Sequence, residues 1–194
     1  MINKPIFIIV LVVVLILSGG SHITSQSQTK EQVQEIIVES DKNFKIVDHG
    51  DSIYQYTIFD NKSEIAVQGS HFGIIPIIKY IEPNIIEISL PAGTNVYYYT
   101  YYDIVNNKLS DQFTSPILTK YGKIVYIDYN KEPYMLVVCD LFDSDSYYKE
   151  FSLDFSPVLA PIIDADFTDE YSLCIRYQSG INQEEKSVDL SLKE

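Results

Sequence analysis

The 194-residue chain has no tryptophan, two cysteines, two methionines and a single arginine, Arg176. The scarcity of arginine excludes the most. Lysine and arginine together number 14 against 27 acidic residues, so the net charge is −13. A surface of that sign with one guanidinium repels phosphate backbones, which excludes nucleic acid as a partner. It equally disfavours attachment to an anionic bilayer, so membrane contact is expected only through the N-terminal segment. Two thiols are too few for a disulfide scaffold. Cys139 (LVVCD) and Cys174 (SLCIR) lie in apolar surroundings, where a free cysteine packs as a small hydrophobe. A single disulfide between them stays open as the alternative for an exported chain.

Catalytic signatures are missing as well. There is no Cys–His zinc spacing and no Gly-x-Ser-x-Gly elbow. The three histidines are His22, His49 and His71. His22 falls in the N-terminal segment, and His49 in a Asp48-His49-Gly50-Asp51 turn. Ser70 and His71 are adjacent, and adjacent residues on a strand point to opposite faces, so they do not form a nucleophile–base pair. No catalytic residue is expected.

Long apolar runs are also absent, with one exception. Residues 6–17 (IFIIVLVVVLIL) are unbroken by any polar side chain and follow Lys4. A positive start, an apolar core and then Ser18, Gly19, Gly20 and Ser21 are the parts of an export signal. At 12 residues the run is short of the roughly 20 needed to cross a bilayer as a helix. Gly20 stands where a lipoprotein motif needs its cysteine, so no thiol is there to acylate. Residues 1–20 therefore read as a signal peptide or an uncleaved N-terminal anchor. Residues 21–30 (SHITSQSQTK) read as a flexible polar stalk, and residues 31–194 as one all-β domain. The expected location is secreted or extracytoplasmic, with the N-terminus as the only anchor.

What is abundant is tyrosine, 16 residues, beside many isoleucines and valines. β-Branched and aromatic residues favour pleated, half-buried strands. Apolar runs of strand length alternate with turn clusters such as Asp60-Asn61-Lys62, Asn106-Asn107-Lys108 and Asp143-Ser144-Asp145. Beyond Ser40 no window keeps a 3.6-residue period; residues 30–40 (KEQVQEIIVES) fit a helix or a strand. A weak repeat emerges over residues 44–68, 84–113, 122–151 and 172–192. Each unit holds a strand, a polar loop and a second strand. The first three add an aspartate (Asp60, Asp103, Asp140), a turn and a third strand. Pro76-Ile77, Pro116-Ile117 and Pro161-Ile162 each open a further short strand between units. The aspartates are 43 and 37 residues apart and the prolines 40 and 45. This predicts antiparallel, propeller-like units of about four strands, the last without its outer strand. In residues 96–102 (VYYYTYY) both alternating sets are large, so both faces of that strand are expected to be buried. A β-sandwich or meander is the alternative.

Residues 164–180 (DADFTDEYSLCIRYQSG) resemble the repeat of TolB-type β-propellers: Phe167, Thr168, the acidic turn at Asp169, the apolar strand 173–177, then Ser179-Gly180. Residues 120–128 (KYGKIVYID) resemble a reduced copy. The Pro-Asp-Gly turn of that family is absent here. The chain as a whole is similar in style to small exported proteins of low-GC Gram-positive bacteria. The resemblance implies a recognition platform and carries no catalytic residues.

Two carboxylate clusters are candidates for a hard cation: Asp140, Asp143 and Asp145, and Asp164 with Asp166 and Asp169. The glycine and distal glutamate of an EF-hand loop are missing, and turn aspartates ordinarily serve their own backbone amides. No cofactor other than Ca²⁺ at these turns is suggested. Tyr97, Tyr99 and Tyr101 are candidates for gripping a ligand, as tyrosine joins apolar area to a polar tip. Tyr54, Tyr56, Tyr147 and Tyr148 share that choice between site and core. The expected function is non-catalytic binding of a protein or glycan at the cell surface. The alternative is a secreted hydrolase using paired aspartates from the turn clusters.

Overall fold

Four antiparallel sheets, each wound from consecutive strands, make up the computed structural model, which describes residues 36–157 and 161–193. The expected signal or anchor and the stalk lie outside the described residues. The first sheet is β1 (Ile36–Ser40), β2 (Phe44–Asp48), β3 (Ile53–Phe59) and β4 (Ile65–Phe72), paired in that order. The second is β5 (Ile77–Glu82), β6 (Ile85–Gly93) and β7 (Val96–Asp103), with an outer strand broken into β8 (Lys108–Leu109) and β9 (Phe113–Thr114). The third is β10 (Leu118–Lys120), β11 (Lys123–Asp128), β12 (Met135–Asp140) and β13 (Tyr148–Ser152). The fourth stops at three strands: β14 (Ile162–Asp169), β15 (Ser172–Ser179) and β16 (Glu184–Ser191). The fold is all-β with units of about four strands. Among the described residues there is no helix, and so none long and apolar enough to cross a membrane.

The proline steps mark the first strands of the second, third and fourth sheets, since Pro fixes an extended entry and cannot donate to a ladder. One clasp recurs in all four sheets. The amide at the end of the third strand donates to the carbonyl in the turn joining the first two strands. The pairs are Phe59 to Asn43 (2.8 Å), Ile104 to Asn84 (2.9 Å), Leu141 to Gly122 (2.8 Å) and Leu192 to Tyr171 (2.7 Å). At the third-sheet clasp Tyr121 and Gly122 both have positive φ, 56° and 66°, the geometry of the tight hairpin turns that match strand twist.

The repeated aspartates share one task. Asp60 Oδ1 accepts from the amides of Lys62 (2.8 Å) and Glu64 (2.9 Å). Asp103 Oδ1 accepts from Val105 (2.9 Å) and Asn106 (3.0 Å). Asp140 Oδ1 accepts from Phe142 and Asp143, both at 2.8 Å. Burial raises the Asp103 carboxyl, but the Asn106 and Val105 donors outweigh it and leave it below its ordinary value.

Three cores join the sheets face to face. Phe44, Ile46 and Ile58 of the first pack on Ile78, Ile86, Ile88, Tyr102 and Ile104 of the second. Ile85 and Tyr101 of the second pack on Ile124, Cys139 and Leu141 of the third. Val125, Ile127, Leu136 and Val138 of the third pack on Phe167, Leu173, Ile175, Tyr177, Leu190 and Leu192 at the fourth. The middle sheets are thus covered on both faces, and β6 and β12 are accordingly buried at successive positions. The expectation for residues 96–102 holds only at one end. Tyr101 and Tyr102 are each 1% exposed, whereas Val96 and Tyr98 are exposed near the hairpin tip, beyond the last core pair.

Cys139 faces the second sheet. Cys174 points away from the cores on the fourth sheet, opposite in parity to Leu173 and Ile175, and both thiols are free.

Candidate functional site

The broken outer strand of the second sheet builds an open concavity. At Ser110 one of the two ladder bonds is taken over by a side chain: the Ser110 amide still donates to the Tyr101 carbonyl (2.9 Å), but the Tyr101 amide donates to Ser110 Oγ (2.9 Å), and that hydroxyl donates to the Asp111 carbonyl (2.7 Å). The chain then leaves the ladder, rejoins β7 at Phe113 and Thr114, and crosses to the third sheet. Where it crosses, an open groove of about 1170 Å³ forms. One wall is the crossing segment with Asp111, Phe113, Thr114, Ser115 and Ile117. The floor comes from the third sheet through Tyr126, Asp128, Cys139 and Tyr148, with Tyr129, Asn130 and Ser144 on its turns. Ile162, Ile163, Asp164 and Ala165 of β14 close the far side.

Strand parity places this floor. Ile124, Cys139 and Tyr148 are register partners across β11, β12 and β13, and Tyr126 and Asp128 follow at alternate positions of β11. The rings gather: Phe113 and Tyr126 have centroids 5.8 Å apart, and Tyr129 meets Tyr134 edge to face at 5.1 Å. Tyr148 donates its hydroxyl to Glu150, which also pairs with Lys131. Among the described residues no lysine or arginine lines the groove, while Asp111, Asp128 and Asp164 do.

Burial, reinforced by the neighbouring Cys139, Tyr148, Asp128 and Glu150, raises the Tyr126 phenol well above its ordinary value. Burial and the Glu150 bond push Tyr148 up to about 12. Burial and the Asp140 charge push the Cys139 thiol up to about 11. Both phenols and the thiol thus stay protonated at neutral pH. The floor offers rings and hydrogen-bond donors, and it does not offer a thiolate nucleophile.

The sequence candidates are distributed differently. Tyr97, Tyr99 and Tyr101 share the face of β7 toward the third sheet, with the Tyr97 and Tyr99 rings 6.1 Å apart. Tyr101 is interior, accepts from the Thr119 hydroxyl at 3.2 Å, and is raised well above its ordinary value by burial. Opposite it on β6, the buried Glu87 pairs with Lys79 at 3.0 Å and accepts from Ser89 Oγ at 3.0 Å. Asp140, Asp143 and Asp145 sit on the β12–β13 turn, where Asp140 serves local amides. Asp164 and Asp166 lie on β14 of another sheet; Asp164 borders the groove, and Asp166 pairs with Lys120 at 3.0 Å. Among the described residues no three His, Cys, Asp or Glu side chains converge to hold a metal ion. Ser70 and His71 point to opposite faces, and His49 Nε2 bonds to Gln55 Oε1 at 2.9 Å.

Phe113, Tyr126 and Tyr129 went unremarked in the sequence, and only Tyr148 of the groove's rings carried a signal, in the Tyr147-Tyr148 pair. Tyr147 lies on the other face and donates to the Leu192 carbonyl at 3.1 Å. Comparison with protein-family models, curated proteins and solved structures returns no match for this chain.

Proposed function

We propose that the chain is an exported, non-catalytic binding domain of the cell envelope whose groove holds a glycan chain. The observation that carries this reading is the groove's lining: Phe113, Tyr126, Tyr129 and Tyr148 beside Asp111, Asp128, Asn130 and Asp164, with no cationic side chain among the described residues. Rings offer apolar faces to the C–H surface of a sugar, and carboxylate and amide groups bond its hydroxyls. The missing cations disfavour anionic polymers, so the ligand is neutral or amino-bearing. The export-like residues 6–17 supply the compartment, and the four clasped units are read as propeller-like blades presenting a recognition surface.

The test is co-sedimentation with insoluble cellulose, chitin, chitosan and an acidic polysaccharide, comparing wild type with Tyr129→Ala/Tyr148→Ala. Retention on a neutral or amino-bearing polymer, weakened in the double variant, is expected. Two aromatic contacts at about 0.5–1.5 kcal/mol each correspond to a loss of roughly 5- to 150-fold. Equal retention of both proteins, or turnover of chromogenic glycosides or esters at pH 5–8, overturns the reading.

A further inference from the structure

Among the described residues the cores run from the first sheet to the second, to the third and to the fourth, and none of them links the fourth back to the first. Each end sheet therefore has an outward face, and the two faces differ in kind. On the fourth sheet the residues of opposite parity to Leu173 and Ile175 include Asp164, Asp166, Glu185 and Asp189, with Arg176 among them. That is an ordinary solvated surface.

The outward face of the first sheet, of opposite parity to Phe44, Ile46 and Ile58, carries no carboxylate at any registered position from β1 to β4. Among the registered positions of this face, Lys45 is the one charged residue. Of its apolar members, Ile37, Ile53, Ile65 and Phe72 are 56, 42, 62 and 74% exposed, Phe59 is half-buried, and Val47 in the middle is buried. Ile53 and Phe72 are register partners and so form one continuous patch. Between the apolar residues lie neutral Gln55, Thr57, Gln68 and Ser70. In a chain of net charge −13 such a face is where two like-charged molecules approach with least repulsion.

We infer that this face docks on the same face of a second copy of the chain, first sheet to first sheet across a two-fold axis. Stacked repeats need polar outer faces at their termini. The two-fold arrangement supplies them, because an eight-sheet stack then ends on a carboxylate-rich fourth sheet at both sides. Contact of a first sheet with a fourth sheet is disfavoured, since it buries that sheet's acids and leaves an apolar face still open for further growth.

Sedimentation velocity on the full chain tests this, with every variant carrying the same N-terminal segment. The wild type is expected at twice the chain mass. Ser70→Glu, an exposed polar position that no core uses, is expected to return the chain mass with an unchanged far-UV circular dichroism spectrum. Mixing Ser70→Glu with Ser70→Lys is expected to restore the dimer. Gln178→Lys, on the outward face of the fourth sheet, is expected to leave the dimer intact. A monomeric wild type, a dimer unaffected by Ser70→Glu, or a dimer lost in Gln178→Lys overturns the proposal. None of these outcomes touches the groove, so this inference and the glycan reading fail separately.

Discussion

Replacing Ile175 by Ala tests the stacking of the fourth sheet on the third. Ile175 is fully buried at the centre of β15, opposite Ala165 on β14 and Val188 on β16. The substitution removes three carbon groups, each worth about 0.8 kcal/mol in transfer from water. Ladders on both sides hold the β15 backbone and the flanking side chains are short, so the void stays largely open and adds about 1–2 kcal/mol. The predicted cost is about 3–4 kcal/mol, a fall in melting temperature of about 6–16 °C for a chain of this size. Urea unfolding followed by far-UV circular dichroism measures it. Arg176→Ala, one residue along and facing water, is the internal control and stays within about 0.5 kcal/mol. A loss below about 1 kcal/mol for Ile175→Ala, or equal losses at the two positions, would refute the assignment of faces.

Gly69 pairs with Tyr56 across β3 and β4, and a Cβ built there runs into the Tyr56 ring, so Gly69→Ala is predicted to destabilise by about 1–3 kcal/mol in the same assay. The buried Cys139, its thiol raised to about 11, is expected to resist Ellman's reagent at pH 8 until the chain unfolds, while Cys174 on the outward face reacts in the native state; two equivalents titrating at once would contradict this. The Asp154 carboxyl is held well below its ordinary value by Lys186, then by Ser179 (2.6 Å) and Tyr177 (2.8 Å). A depressed folded value stabilises above the unfolded value near ~3.9 and is lost as pH falls through the folded one. Asp154→Asn is therefore predicted to flatten the acid limb of stability against pH, and an unchanged limb would remove Asp154 from the account.

The strand framework was legible because local chemistry punctuates it. Pro76, Pro116 and Pro161 open first strands, Asp60, Asp103 and Asp140 turn the chain after third strands, and the last sheet has three strands among the described residues. Residues 30–40, open between helix and strand, contain β1 at Ile36–Ser40. Apolar residues on both parities foretold sandwiched sheets, yet not where sandwiching stops, so Tyr98 emerges exposed while Tyr102 is buried. The groove was illegible. Its rings come from β9, β11, β13 and a turn, and they converge only because Ser110 breaks an outer strand, an event that no local pattern in residues 108–114 announces. The end faces were equally hidden, because parity tells two faces apart without saying which one meets a neighbour.

Amide hydrogen exchange, with and without a soluble oligomer of the polysaccharide that retains the protein, tests the central claim most directly. Binding in the groove predicts slowed exchange in Phe113–Thr114, Lys123–Asp128 and Tyr148–Ser152, with β2 to β4 unchanged. Protection confined to the first sheet, or along Tyr97 and Tyr99 without the third sheet, would contradict it.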